Sequence, residues 1–366
     1  MAGFQDIIGH EQIIAHFKKA IAMDKVSHAY ILDGPEHAGK RMLAEAFAMT
    51  LQCETVQRVC SGAEETAEQV TLFSLPEETD FGVSQAARAR AAATEPCMEC
   101  RSCVQALGKN QPDIIYVTHV KTGISVDDIR EQVNADICVK PYSSRYKVYI
   151  IDEAETMTVQ AQNALLKTLE EPPAYAVILL LTTNADAFLP TIRSRCVRLG
   201  LKAAKDEQIR AFLMQRCRVP DYQADISIAF AQGNVGQARL LASSEQFNEI
   251  KDYTLRLVRR VREMTVGDLT GELRFLTENR ENIPVFLDLI LLLFRDVLLY
   301  KSTAAGEDLI FKEQAFLIQE IAGRISYRGL NRILQSVETA GRRIEANVNL
   351  SLTMELLLID IKENII

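Results

Sequence analysis

The chain has 366 residues, more than one ordinary compact domain holds, which points to two or three domains. Its hydrophobic content of 48% is that of a globular protein, and a formal net charge of −8 with a pI near 5.4 excludes binding of nucleic acid by bulk electrostatics. The start, MAGFQDIIGHEQ, has no basic segment leading into an apolar core, and Asp288, Arg295 and Asp296 interrupt the most apolar stretch, residues 283–301. Neither a signal peptide nor a membrane span is expected, and the chain is read as cytoplasmic.

In chain order, EQIIAHFKKAIAM (11–23) has helical periodicity, HAYILD (28–33) reads as a short strand, and KRMLAEAFAMTLQC (40–53) as a helix after a glycine-containing turn. Residues 54–95 are rich in Glu and Ala with no sustained apolar period, and read as an insertion. RYKVYIIDEAE (145–155) is a β-rich run ending in acids, QAQNALLKTLEEPP (160–173) a helix stopped by Pro172 and Pro173, and AVILLLTTN (176–184) an apolar strand. Continuous apolar strands separated by helices predict a parallel sheet covered on both faces. The strand signal ends near residue 205. Short helices are expected around 205–245 and longer ones over 246–366, including FNEIKDYTLRLVRRVREM and LNRILQSVETAGRRIEANVN. The plan is an α/β core at 1–203 carrying a Cys-rich module with its insertion at about 53–110, a small helical lid at 204–245 and an all-α domain at 246–366.

The turn between the first strand and its helix reads Gly34-Pro35-Glu36-His37-Ala38-Gly39-Lys40, the phosphate-cradling pattern G-x-x-x-x-G-K. The residue that should follow is Ser or Thr, whose hydroxyl ligates Mg²⁺; here it is Arg41. Asp152 and Glu153 close a buried strand, where ATPases place metal-organising and water-polarising carboxylates, although acids also favour the start of a following helix. Thr183 or Asn184, after the next strand, could sense a γ-phosphate or simply form a turn. IRSRCVRL (192–199) offers Arg193, Arg195 and Arg198 from a loop, either a solvated cluster or a source of charge for a neighbour's phosphoryl group.

CMECRSC (97–103) spaces Cys97, Cys100 and Cys103 as C-x₂-C-x₂-C, which brings three thiolates to one point; a fourth ligand would complete a tetrahedral structural zinc site. Cys53 and Cys60 are the candidates for that ligand. Cys138 and Cys217 read as core residues. Arg256, Arg259, Arg260 and Arg262 place several charges on one helical face, a solvated surface or a contact with another subunit.

NALLKTLEEPP (163–173), followed by TTN and LPTIRSRC, resembles the clamp-loader subunits of bacterial DNA polymerase III, members of the AAA+ group. The resemblance runs from FQDIIGHEQ through GNVGQARLL, about two-thirds of the chain, and the helical remainder is similar in kind to the family's collar domain. It implies an AAA+ (P-loop NTPase-like) core with a lid and an oligomerising collar, and a structural Zn²⁺ on Cys53, Cys97, Cys100 and Cys103, with Cys53 preferred over Cys60 by its position on the helix. It implies an arginine finger at Ser194-Arg195-Cys196 and a lid segment at 233–239 whose Arg239 senses nucleotide in active members.

Within the family, the ATP-burning gamma/tau motors are expected to end the glycine loop in Lys-Thr or Lys-Ser. Arg41, and the absence of a tau-like extension, favour the delta-prime type, which lacks a productive ATP site. That type joins gamma/tau and delta subunits in a ring that loads the sliding clamp onto primer-template DNA. Gly34, Gly39, Lys40, Asp152, Glu153 and Thr183 are then a vestigial nucleotide site without ATPase activity of its own. The alternatives are a motor with an atypical glycine loop and a non-catalytic AAA+ scaffold of another complex.

Overall fold

The computed structural model describes residues 3–61, 94–119, 123–265, 267–268, 271, 274, 276, 280–303, 306, 309–346 and 348–365. Most of the insertion, and the side chain of Cys60, lie outside the described residues. Two compact units emerge: residues 1–208 with 233–237, and residues 209–232 with 238–366.

The first unit is built on five parallel strands, β1 (Ala29–Asp33), β2 (Ile114–Val117), β3 (Lys147–Ile151), β4 (Ala176–Thr182) and β5 (Val197–Gly200). Their order is β2-β3-β4-β1-β5. The central strands are apolar on both faces because helices cover both. All seven residues of β4 are buried, and Leu180 pairs with Ile31 on one side and Ile151 on the other. Successive side chains alternate between the two layers. Tyr30 and Leu32 pack with Phe17 of α1 (Glu11–Ala22) and Phe47 of α2 (Lys40–Gln52), whose rings stack at 4.0 Å. Ile31, Tyr149 and Leu180 face the other way, against Leu165 and Leu169 of α6 (Val159–Glu170). Between α2 and α6 run α3 (Glu54–Ser61), α4 (Arg101–Leu107) and α5 (Val126–Ile129).

The sequence reading missed β2 and β5. Both are four-residue edge strands, and β5 alternates between half-buried and exposed positions, so it lacks the apolar run that marks a central strand. Arg198, read as part of a loop, is therefore a strand residue paired with Ile31. The helix over 160–173 begins one residue earlier and stops at Glu170, two residues before Pro172.

A short α7 (Pro190–Arg193) precedes β5, and α8 (Asp206–Gln215), α9 (Asp221–Ala231) and α10 (Val235–Ser243) follow it. The second unit continues with α11 (Glu245–Arg260), α12 (Ile283–Thr303), α13 (Ala315–Arg324), α14 (Tyr327–Glu345) and α15 (Leu350–Asn364). The apolar stretch at 283–301 is the core of α12, with Phe286, Ile290, Leu293, Phe294 and Val297 fully buried. Asp296, also fully buried, accepts the Ile310 and Phe311 backbone N–H groups at 2.8 Å each and pairs with Arg295, so its charge is partnered rather than orphaned. Among the described residues no helix is long and apolar enough to cross a membrane. Arg256, Arg259, Arg260 and Arg262 are exposed, and Arg259 bonds Gln314 at 2.9 Å.

Candidate functional site

Helix α2 has a candidate site at each end. At its N-terminus Gly39 takes φ +94°, a left-handed conformation that L side chains rarely adopt, and so lets the chain swing from the turn into the helix. His37 is also left-handed at φ 59°, a strained state for a side-chain-bearing residue that its surroundings must hold in place. They do so through the turn's carbonyls. The His10 imidazole lies 2.9 Å from the Ala38 carbonyl, and the Asn234 amide donates to the Glu36 carbonyl at 2.7 Å. Gly236 packs so tightly that a Cβ there would fall 2.2 Å from the His37 carbonyl oxygen. The segment 233–237, read as part of a lid, thus braces the turn. Arg239 lies on α10, exposed.

The predicted site residues converge, but on one another. Lys40 Nζ donates to the Gly34 and Pro35 carbonyls at 2.5 and 3.0 Å. Burial lowers its pKa, against the opposing pull of the nearby Glu155, Asp152, Glu36 and Asp33 carboxylates. Asp152 accepts the Glu153 backbone N–H and faces Arg41 Nη1 at 3.7 Å. Asp33, at the end of β1, is bound by Arg198 Nη2 at 2.5 Å. Glu153 is exposed in a left-handed turn (φ 50°), 3.8 Å from His119.

That turn sends the chain into a short 3₁₀ helix and swings Glu155 back to the site, where its Oε1 accepts the Thr183 hydroxyl at 2.6 Å and the Thr183 N–H at 3.2 Å. Burial pushes the Glu155 pKa up, but hydrogen bonds from Thr183, from its own backbone and from Thr182 together offset this and leave it below the ordinary value. Glu155 was missed in the sequence reading. The available signal was DEAE, whose two glutamates lie two residues apart, but choosing between them requires knowing the backbone at Glu153. Asn184 is a turn former, its side chain accepting the Asp186 N–H.

The three arginines of the IRSRCVRL segment have separate partners. Arg193 pairs with Asp186, Arg198 with Asp33, and Arg195 with Glu170 at the end of α6, at 2.8 Å, while also donating to the Thr191 carbonyl. Ser194 is exposed; Cys196 is half-buried, and burial pushes its thiol up to about 12.

At the other end of α2, Cys53 caps the helix and meets the CMECRSC turn. The Sγ atoms of Cys53, Cys97, Cys100 and Cys103 all lie within 4.8 Å of one another, with Cys97 and Cys103 at 4.0 Å. A tetrahedron of sulfurs about 2.3 Å from a zinc ion has edges of about 3.8 Å, so the four side chains fit such an ion. Backbone N–H groups point at the sulfurs: Cys97 N to Cys53, Cys100 N to Cys97 and Cys103 N to Cys100, at 3.3–3.4 Å. Such donors favour thiolate over thiol. The Cys103 S–H, more than any other group, draws Cys53 down to about 4, while the same contact pushes Cys103 up. Cys53 completes the set of four. Cys138 and Cys217 are not core residues as expected. Cys138 is exposed in the turn after residues 130–134, and Cys217 is half-buried beyond the end of α8.

The family model described as DNA polymerase III, delta subunit, matches residues 9–77 and 77–205, and that described as DNA polymerase III, delta subunit, C terminal, matches 261–363. DNA polymerase III subunit tau of Bacillus subtilis is 26% identical over 330 residues, 84% of this chain and 52% of that protein. Subunit tau/gamma of Haemophilus influenzae is 32% identical over 210 residues, 57% of this chain and 25% of that protein. The chain thus matches about half of the first relative's length and a quarter of the second's. A solved gamma-subunit-related protein of Thermotoga maritima aligns over 96% of this chain and 99% of its own, at 18% identity and a TM-score of 0.43. With two family models covering the α/β unit and most of the C-terminal helices, the chain belongs to the DNA polymerase III delta-subunit family of clamp-loader proteins.

Proposed function

We propose that this chain is a delta-prime-like clamp-loader subunit, which has no ATPase activity of its own and supplies Arg195 in trans to the ATP site of a neighbouring gamma/tau subunit. The observation that carries this reading is the guanidinium at position 41, where a motor needs a metal-binding hydroxyl, set 3.7 Å from Asp152. Lys40 and Thr183 support it, since both are engaged by the protein itself. Arg195 suits the opposite role. Its pair with the exposed Glu170 is a surface ion pair, worth at most about 1 kcal/mol, and readily exchanged for a neighbour's phosphate.

In this reading the chain is cytoplasmic, with an AAA+ core at 1–203, a lid at 204–245 and a collar at 246–366. It acts with gamma/tau and delta to place the sliding clamp on primer-template DNA. The four cysteines hold a structural Zn²⁺, which ties the end of α2 to the CMECRSC turn. Metal analysis of the reduced full chain is expected to give one zinc per chain, and metal-free folded protein would refute the ion.

In a reconstituted ring, Arg195→Ala is expected to lower the neighbour's ATP turnover by about 10³-fold or more while assembly persists. A mutant ring that assembles and hydrolyses ATP at the normal rate sinks the assignment. Similarity to a tau subunit over 84% of the chain favours a second reading, an ATP-burning motor with an atypical glycine loop. Mg²⁺-dependent turnover by the isolated chain would establish that reading instead.

A further inference from the structure

Position 41 is incompatible with an ordinary magnesium site, and the surrounding fold is built to keep it so. In phosphate turns of this kind the hydroxyl after the lysine holds Mg²⁺, which is organised by a carboxylate at the end of a neighbouring strand. Here the side chain after Lys40 is a cation with its own seat. Arg41 Nε donates to Glu45 Oε1 at 3.1 Å, Nη1 lies 3.7 Å from Asp152 Oδ2, and the guanidinium carbon stands 5.5 Å from the centre of the Tyr116 ring.

Glu45 is only 8% exposed, and taking the cation away from a buried carboxylate is costly. It lies one turn further along α2, at the spacing that brings side chains together on a helix. Tyr116, from β2, offers the face of its ring, where a guanidinium is favoured. A serine or threonine at 41 could fill none of these contacts. Asp152, the carboxylate that would organise a metal, already faces this positive charge, and a divalent ion drawn to it would be repelled by Arg41.

We propose that Arg41 is a protein-supplied counter-ion standing in for Mg²⁺, which makes this phosphate turn independent of divalent cations. The inference rests on the reading of residues 34–41 as a phosphate turn given above, but not on the trans role of Arg195. Failure of the Arg195→Ala test in the ring would leave it untouched, because its own test uses the isolated full chain.

The test is calorimetric titration of ADP into the chain with MgCl₂ and, separately, with EDTA. Arg41→Thr would remove the cation beside the buried Glu45, so the double variant Arg41→Thr/Glu45→Gln is measured beside it, with folding checked by circular dichroism. The unsubstituted chain is expected to gain nothing from Mg²⁺: either ADP affinities within about two-fold of each other in the two conditions, or no detectable ADP heat in both. At least one folded variant is expected to gain about ten-fold or more when Mg²⁺ is present. A gain of that size in the unsubstituted chain overturns the proposal. So do folded variants that respond to Mg²⁺ no more than the parent does.

Discussion

The two ends of helix α2 treat charge in opposite ways. At the N-terminus the ionic groups that converge on the turn have internal partners: Lys40 has carbonyls, Arg41 has Glu45 and Asp152, Asp33 has Arg198, and Glu155 has Thr183. At the C-terminus four sulfurs crowd together, with backbone N–H groups pointing at them. A cluster of thiolates repels itself unless a cation neutralises it, whereas the phosphate turn carries its cations in its own side chains. Convergence of side chains on a point is therefore not enough to identify a ligand. What matters is whether their charges are already answered within the protein.

This contrast can be broken at either end. The largest effect is expected at the cysteines. Cys103→Ser, or removal of metal with a strong chelator, should destabilise the α/β unit by more than about 3 kcal/mol, read as a lowered denaturation midpoint, because metal-binding energy in such sites is folding energy. Full retention of stability would mean that the thiols are merely adjacent.

Next comes the brace on the phosphate turn. Gly236→Ala places a methyl 2.2 Å from the His37 carbonyl, and should cost about 1–3 kcal/mol by forcing the backbone apart. Smaller again is Arg41→Ala, expected to cost about 1–2 kcal/mol, because it takes the cation away from the buried Glu45 while half of the Arg41 side chain is already in water. Glu45→Gln in the Arg41→Ala background should recover most of that loss.

The smallest effect has a pH signature. Glu155 is held below its ordinary pKa of 4.5, so its contribution is full above about pH 4.5 and is lost as the pH falls through the lower folded value. Thr183→Val should reduce stability by about 1 kcal/mol or less near neutral pH and flatten the acid limb below about pH 4.5. An acid limb as steep as the parent's would show that Thr183 does not hold Glu155.

Much of this molecule was legible in its sequence. The apolar runs of β1, β3 and β4 and the C-x₂-C-x₂-C spacing are local patterns, fixed by which atoms must leave water and by which side chains lie one turn apart. Arg41 is legible in the same way, because it breaks a motif of eight consecutive residues whose other fixed positions, Gly34, Gly39 and Lys40, are all present. The edge strands β2 and β5 were harder to read: β2 is an apolar run of only four residues, and the half-buried and exposed residues of β5 carry no apolar run at all.

The sequence favoured Cys53 over Cys60 by its place on the helix without showing the contact, and it pointed to Glu153 where the structure brings in Glu155. The contact depended on where helix α2 ends relative to a turn more than forty residues away, the glutamate on a left-handed backbone at Glu153. The sequence by itself determined which charges this chain possesses and roughly where along it they fall. Only the tertiary structure decided which of them face one another. A pairing such as Arg41 with Asp152, or Arg198 with Asp33, joins residues far apart in the chain, which meet only once the parallel sheet has brought the ends of its strands together.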